Sequence, residues 1–233
     1  MTLLPNKENH AAKCGKKRRK LILYDLDGTL VDTRQDIING VRHALEVLSG
    51  PKLTDDEIKE CVGTGLHALI RKVFRTDDEK LADRGSKLYR EHYKEHMLDH
   101  SRLYPGAREF LEYFKDRKQA VITNKPNPFS AQILAALGVA DYFIAILTGD
   151  NGMPFKPDPA TIHHLMEVTG ASAGEVLFVG DSPIDITAAR NGGVEIVTLT
   201  HGFAPESVLR EAKPDDIVHS FSELLNLAQE KGW

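Results

Sequence analysis

Residues 21–32 read LILYDLDGTLVD, and the reading of this stretch decides the fold. Leu21 to Tyr24 is a short apolar run, the composition of a strand buried on both faces. It ends on Asp25 and Asp27, two like charges two positions apart, followed at once by Gly28 and Thr29. Burying such a pair costs several kcal/mol unless something compensates. The stretch is either a surface turn or a strand end at which a positive partner sits.

Downstream, Ile37, Ile38, Val41, Leu45 and Leu48 recur at helical spacing, and Gly50-Pro51 stops that helix. Thr54 starts another through an acid-rich first turn. Gly63-Thr64-Gly65 breaks it, Leu66 to Phe74 resumes helical spacing, and Asp77 to Leu98 reads as one long polar helix. From Tyr104-Pro105-Gly106 the pattern changes to alternation. Strands are expected at 119–123, 143–147, 176–180 and 195–199, with helices at 128–137, 159–168, 185–191, 206–211 and 222–230. Such alternation argues for a parallel sheet covered by helices, which the first strand joins. Residues 33–103 are then a helical insertion, and residues 20–32 with 104–233 form the core.

The chain has 233 residues, 41% hydrophobic and 27% charged, with a formal net charge of −4. This suits a soluble globular protein and gives no overall basicity for nucleic acid. No apolar run reaches the ~20 residues of a membrane span, so no membrane association is expected. Cys14 and Cys61 lie far apart, which fits a reducing, cytoplasmic setting better than a disulfide scaffold. Residues 1–19, ending in KCGKKRR, read as a polar, disordered tail; the rival reading is an anion-binding patch.

In open parallel sheets, ligands bind beyond the carboxyl ends of the strands. Those ends carry Asp25 and Asp27, then Thr123-Asn124-Lys125, then Gly180-Asp181-Ser182 with Asp185 four residues on. Between them, Lys156 is held in the proline-rich loop Phe155-Lys156-Pro157-Asp158-Pro159. An acid-dominated oxygen site suits a hard cation such as Mg²⁺, and the metal with Lys156 supplies the missing positive charge. A phosphoryl group fits between them, taking hydrogen bonds from Thr123 and from backbone N–H groups in the turn Leu26 to Thr29, where Gly28 permits close approach.

These motifs resemble the haloacid dehalogenase superfamily of aspartyl-phosphate phosphotransferases over roughly residues 20 to 229. DLDGTLVDT matches the first motif, Thr123 the second, Lys156 in KPDP the third, and GDSPIDITAAR the fourth. The resemblance implies an α/β fold, a Rossmann-like doubly wound parallel sheet core with an inserted α-helical cap domain. VGTGLHALI, residues 62–70, resembles the cap loop of the phosphoglycolate phosphatase-like subgroup. The implied activity is Mg²⁺-dependent hydrolysis of a small phosphorylated metabolite by a monomer or homodimer.

The resemblance also implies roles. Asp25 is the nucleophile, and a carboxylate is already ionised at neutral pH. Asp27 acts as acid and then base. The metal ligands are Asp25, the Asp27 main-chain carbonyl and Asp181, with Asp185 holding the metal's water shell or orienting Lys156. Lys156 neutralises charge in transfer. Leu26, Gly28, Thr29, Thr123 and Asn124 contact the phosphate, and Thr64, Gly65, His67 and Arg71 are cap candidates for specificity. Asp27 separates this chain from dehalogenases, which have no aspartate there, from P-type pumps, which have threonine, and from phosphonate hydrolases, which have alanine. The rival functions are a sugar-phosphate mutase of the β-phosphoglucomutase type, a pyrophosphatase or nucleotidase, and a non-enzymatic regulatory module. His92, His96 and His100, one turn apart, read as a solvated helix face rather than a zinc site.

Overall fold

The computed structural model describes residues 18–150 and 152–233. In chain order the elements are β1 (Leu21–Tyr24), β2 (Val31–Asp32), α1 (Arg34–Val47), α2 (Asp55–Glu60), α3 (Leu66–Phe74), α4 (Glu79–His96) and β3 (Arg102–Leu103). There follow α5 (Ala107–Tyr113), β4 (Lys118–Thr123), α6 (Phe129–Ala136), β5 (Ala145–Thr148), α7 (Ala160–Thr169) and β6 (Val176–Gly180). The chain closes with α8 (Pro183–Gly192), β7 (Glu195–Leu199), α9 (Glu206–Ala212), β8 (Asp216–Val218) and α10 (Phe221–Lys231).

Six strands form one sheet in the order β5-β4-β1-β6-β7-β8, and every pairing in it is parallel. The chain winds outward from β1 to β4 and β5, then crosses back to β6, β7 and β8. This is the doubly wound α/β core that the sequence implies. The strand order reverses at β1, where a crevice opens at the carboxyl ends. Side-chain alternation on β1 serves both faces. Ile22 and Tyr24 join the core beneath α5 and α10, while Leu21 and Leu23 join the one beneath α7, α8 and α9.

The helical insertion leaves and returns through β2 and β3, which pair antiparallel at Val31–Leu103 and Asp32–Arg102. Its helices bury Ile37, Val41, Ile70, Tyr89 and Tyr93 in a core continuous with that of the sheet. Gly40 lets α1 and α4 approach, since a Cβ there would lie 2.9 Å from the Tyr89 ring. The buried Asp36 carboxylate accepts from Ser101 N–H at 2.8 Å, Ser101 Oγ–H at 2.7 Å and His100 N–H at 3.0 Å, tying the returning chain to α1. Thr54 caps α2 in a box with Glu57, as the acid-rich turn predicts.

Some expectations change. Arg19, assigned to the tail, is 1% exposed and bonds the Gly174 and Val176 carbonyls and Glu195. The core therefore begins before the first strand, and residues 1–17 of the tail lie outside the described residues. β5 starts at Ala145 rather than Phe143, whose ring packs edge-on to Tyr24 instead. His100 has left the helix, so only His92 and His96 share its face, where His92 stacks on His43 of α1 and His96 packs at a tilt against His92. No helix among the described residues is long and apolar enough to cross a membrane.

Candidate active site

β1 carries Asp25 to the crevice. Its N–H donates to Val179 O at 3.0 Å, which seats it beside the end of β6. Asp25 Oδ1 accepts from Leu26 N–H at 2.7 Å and lies 2.9 Å from Lys156 Nζ. Both bonds fall on Oδ1, which leaves Oδ2 for a reaction partner. Lys156 also donates to Asp185 Oδ1 at 2.7 Å, and its side chain is 3% exposed. Asp185 is the most committed of the acids. Its Oδ2 takes Ser182 Oγ–H at 2.6 Å, Ser182 N–H at 3.1 Å and Asp181 N–H at 3.2 Å, within the capping box of α8. That arrangement makes Asp185 the anchor of Lys156.

Asp181 is buried between two glycines. Its Oδ1 accepts from Thr29 Oγ–H at 2.6 Å and its Oδ2 from Phe203 N–H at 2.8 Å. A Cβ on Gly28 or on Gly202 would overlap the Asp181 carboxylate. Gly28 is also left-handed at φ +84, so its glycine is required twice. Gly28→Ala therefore displaces Asp181, and metal titration of activity should show about 10–100-fold weaker apparent affinity with the fold retained. Unchanged metal dependence would show that Asp181 is not a ligand.

Asp25, Asp181 and Asp185 offer oxygens within 4.8 Å of one another, beside one ammonium group. Burial, then the neighbouring carboxylates, pushes Asp25 up to about 7 against the pull of Lys156. Burial, then Asp185 and Asp25, holds Asp181 well above the usual carboxylate range. Burial would lower Lys156, but Asp185 and Asp25 outweigh it and hold the ammonium above its ordinary value. A buried oxygen set with excess negative charge fits a hard divalent cation. The Asp27 carboxylate lies outside this set, its side chain bonding Thr33 and Lys125, which leaves the main-chain carbonyl as the group Asp27 can offer a metal.

The sign of the pH effect follows. Between about pH 4 and about 7, folded Asp25 keeps a proton that the unfolded chain has released. Stability of the metal-free protein thus falls as pH rises through that window. Melting in chelator should drop from about pH 5 to about pH 8, and saturating Mg²⁺ should raise the melting temperature more at the higher pH. Parallel curves with and without metal would contradict the cation fit.

Thr123 is buried at the end of β4, its Oγ accepting from Lys125 N–H at 3.2 Å with its own proton left to donate. The expected phosphate turn is narrower than the sequence suggests. Leu26 N–H bonds Asp25, Gly28 N–H bonds Val31 O at 2.9 Å and Thr29 N–H bonds Leu26 O at 3.3 Å. Among the described residues, Asp27 N–H is the one left in that turn. Asn124, expected on the phosphate, is also spoken for. Its Nδ2 donates to Gly63 O at 2.9 Å and Lys156 O at 3.0 Å, and its Oδ1 accepts from Lys156 N–H at 2.9 Å. It joins the Lys156 loop to the helical insertion.

The pocket in front of Asp25 is apolar on the insertion side, walled by Ile37, Val62, Leu66, Leu69 and Tyr89. Gly65 lines it as expected, but Thr64, His67 and Arg71 do not. His67 lies 3.4 Å from both Glu79 and Asp83, Arg71 pairs with Asp77 and Glu79, and Thr64 accepts from Lys72 at 3.1 Å. The cause is the amphipathic turn of α3, which points Leu66, Leu69, Ile70 and Val73 inward and the charges outward. The sequence places Lys125 and Ser182 at the strand ends without giving either a role, and it carries no signal for Phe203.

Known proteins resemble this chain in sequence and in fold. The family model described as haloacid dehalogenase-like hydrolase matches residues 22–199. The chain is 35% identical over 219 residues to the phosphoglycolate phosphatase of Vibrio parahaemolyticus serotype O3:K6, covering 89% of this chain and 95% of that protein. To the phosphoglycolate phosphatase of Haemophilus influenzae (strain ATCC 51907) it is 33% identical over 222 residues, covering 89% and 97%. The crystal structure titled "predicted phosphoglycolate phosphatase" from Haemophilus somnus 129PT superposes with a TM-score of 0.84 at 32% identity, covering 90% of this chain and 98% of that one. Matched over most of its length in sequence and in fold, the chain belongs to the haloacid dehalogenase-like hydrolases.

Proposed function

We propose that this protein is a Mg²⁺-dependent phosphatase that hydrolyses a small phosphate monoester through a phosphorylated Asp25. Phosphoglycolate is the first candidate substrate, because relatives sharing about a third of the sequence carry that name. The observation that carries the reading is the Asp25 carboxylate, with one oxygen held by Lys156 and Leu26 N–H and the other unengaged among the described residues.

Asp25, Asp181 and the Asp27 carbonyl would hold the metal, which supplies positive charge to the phosphoryl oxygens when bound. Asp25 Oδ2 attacks phosphorus as the ester oxygen departs. Lys156 neutralises charge on Asp25 and on the transferring group, and Asp185 keeps its ammonium aimed. Thr123 donates its hydroxyl to a phosphoryl oxygen. Asp27 gives a proton to the leaving oxygen, then takes one from the water that splits the aspartyl phosphate. The insertion's apolar wall limits bulk water at the reacting centre.

The test is phosphate release across a panel of phosphorylated metabolites, with Mg²⁺ and with chelator. Mg²⁺-dependent release from a small monoester is expected, with no bisphosphate activator required. A flat response across the panel would refute the phosphatase reading, and transfer to a second sugar hydroxyl would replace it with a mutase.

A further inference from the structure

Lys125 follows the strand-end pair Thr123-Asn124 and is 6% exposed. Its Nζ lies 3.0 Å from Asp27 Oδ1 and 4.4 Å from the centroid of the Tyr93 ring of α4. Thr33, between β2 and α1, donates its hydroxyl to the same Asp27 oxygen at 2.6 Å. Asp27 lines the pocket, and these two bonds both fall on Oδ1. A carboxyl oxygen has about two acceptor sites. With an ammonium and a hydroxyl donating to it, Oδ1 has no place for a proton of its own.

We propose that Lys125 is a positioning residue for the acid–base carboxylate: with Thr33 it occupies Asp27 Oδ1 and thereby makes Oδ2 the oxygen that exchanges the proton. The proposal rests on the phosphatase reading above. In the first half-reaction the bond from Asp25 to phosphorus forms, the bond from phosphorus to the ester oxygen breaks, and the Oδ2 proton of Asp27 moves to that oxygen. In the second, water oxygen bonds phosphorus, the bond from phosphorus to Asp25 breaks, and a water proton returns to Asp27 Oδ2. Lys125 stays beside the carboxylate charge that donation creates. Because Tyr93 belongs to the insertion and Thr33 to its hinge, the carboxylate is fully fixed only when the insertion is seated on the core.

The test compares Lys125→Met, Lys125→Arg and Thr33→Val with the parent enzyme in Mg²⁺, using phosphoglycolate, ethyl phosphate and p-nitrophenyl phosphate. The first two need a protonated leaving oxygen, whereas p-nitrophenolate departs as a stable anion. General acid catalysis is worth about 10²–10⁴-fold, and misplacing the acid forfeits part of it. Lys125→Met should lower kcat/KM about 30-fold for both alkyl esters, mainly in kcat, and less than about 3-fold for p-nitrophenyl phosphate. Lys125→Arg should recover part of the loss. Thr33→Val should show the same pattern at smaller size, and it decides the matter if Lys125→Met fails to fold. Lys125→Met should add nothing to Asp27→Asn. Equal losses on all three esters, or no loss, would overturn the proposal. Loss confined to phosphoglycolate would also overturn it, and would make Lys125 a carboxylate-binding residue. A parent enzyme inactive on all three and across the wider metabolite panel would defeat the phosphatase reading itself and the proposal with it.

Discussion

Asp25→Asn should abolish phosphate release while leaving the fold intact. Loss of a covalent nucleophile removes about 10⁴-fold or more of the rate. The amide nitrogen of asparagine cannot attack phosphorus, but its oxygen can still accept from Leu26 N–H and Lys156. One negative charge also leaves a buried set of three carboxylates. The metal-free variant should therefore melt at or above the parent temperature, since the raised Asp25 pKa reports an ionised group that burial disfavours. Phosphate release near the parent rate would remove Asp25 from the reaction. A large fall in melting temperature would mean that its charge is structural.

Lys156→Met is expected to damage both activity and stability. The ammonium bridges Asp25 at 2.9 Å and Asp185 at 2.7 Å, with 3% of its side chain exposed. Removing one partner of a buried ion pair costs about 3–5 kcal/mol. In a chain of this size that is about 10 °C of melting temperature. Activity should fall about 10²–10³-fold from lost charge stabilisation alone. The stability cost should shrink toward about pH 5, where the freed Asp25 carboxylate can take a proton. Differential scanning calorimetry at two pH values and a phosphate-release assay check both halves. A variant as stable as the parent at high pH would show that the metal, not Lys156, balances these acids.

The core was legible because its signals are local. β1 is a continuous apolar run, and the acids at the ends of β1 and β6 interrupt apolar strands where a sheet places ligands. β2 and β3 have two residues each and exist through their pairing across the insertion, so no periodicity could announce them. β8 has three residues and rests on β7. The cap candidates misled for a related reason. A helix with one charged face reads the same whether that face meets a pocket or solvent, and in α3 Leu66 and Leu69 face the pocket. Lys125 and Thr33 become site residues only through Asp27, 98 and 6 positions away in sequence.

Trapping the phosphorylated enzyme tests the central claim most directly. The protein is mixed with Mg²⁺ and its best substrate, quenched in acid, and reduced with borohydride, which converts an aspartyl phosphate to homoserine. Peptide mass spectrometry should find homoserine at position 25 in the presence of substrate. Intact Asp25 in an enzyme that is releasing phosphate, or modification at another residue, would contradict the account.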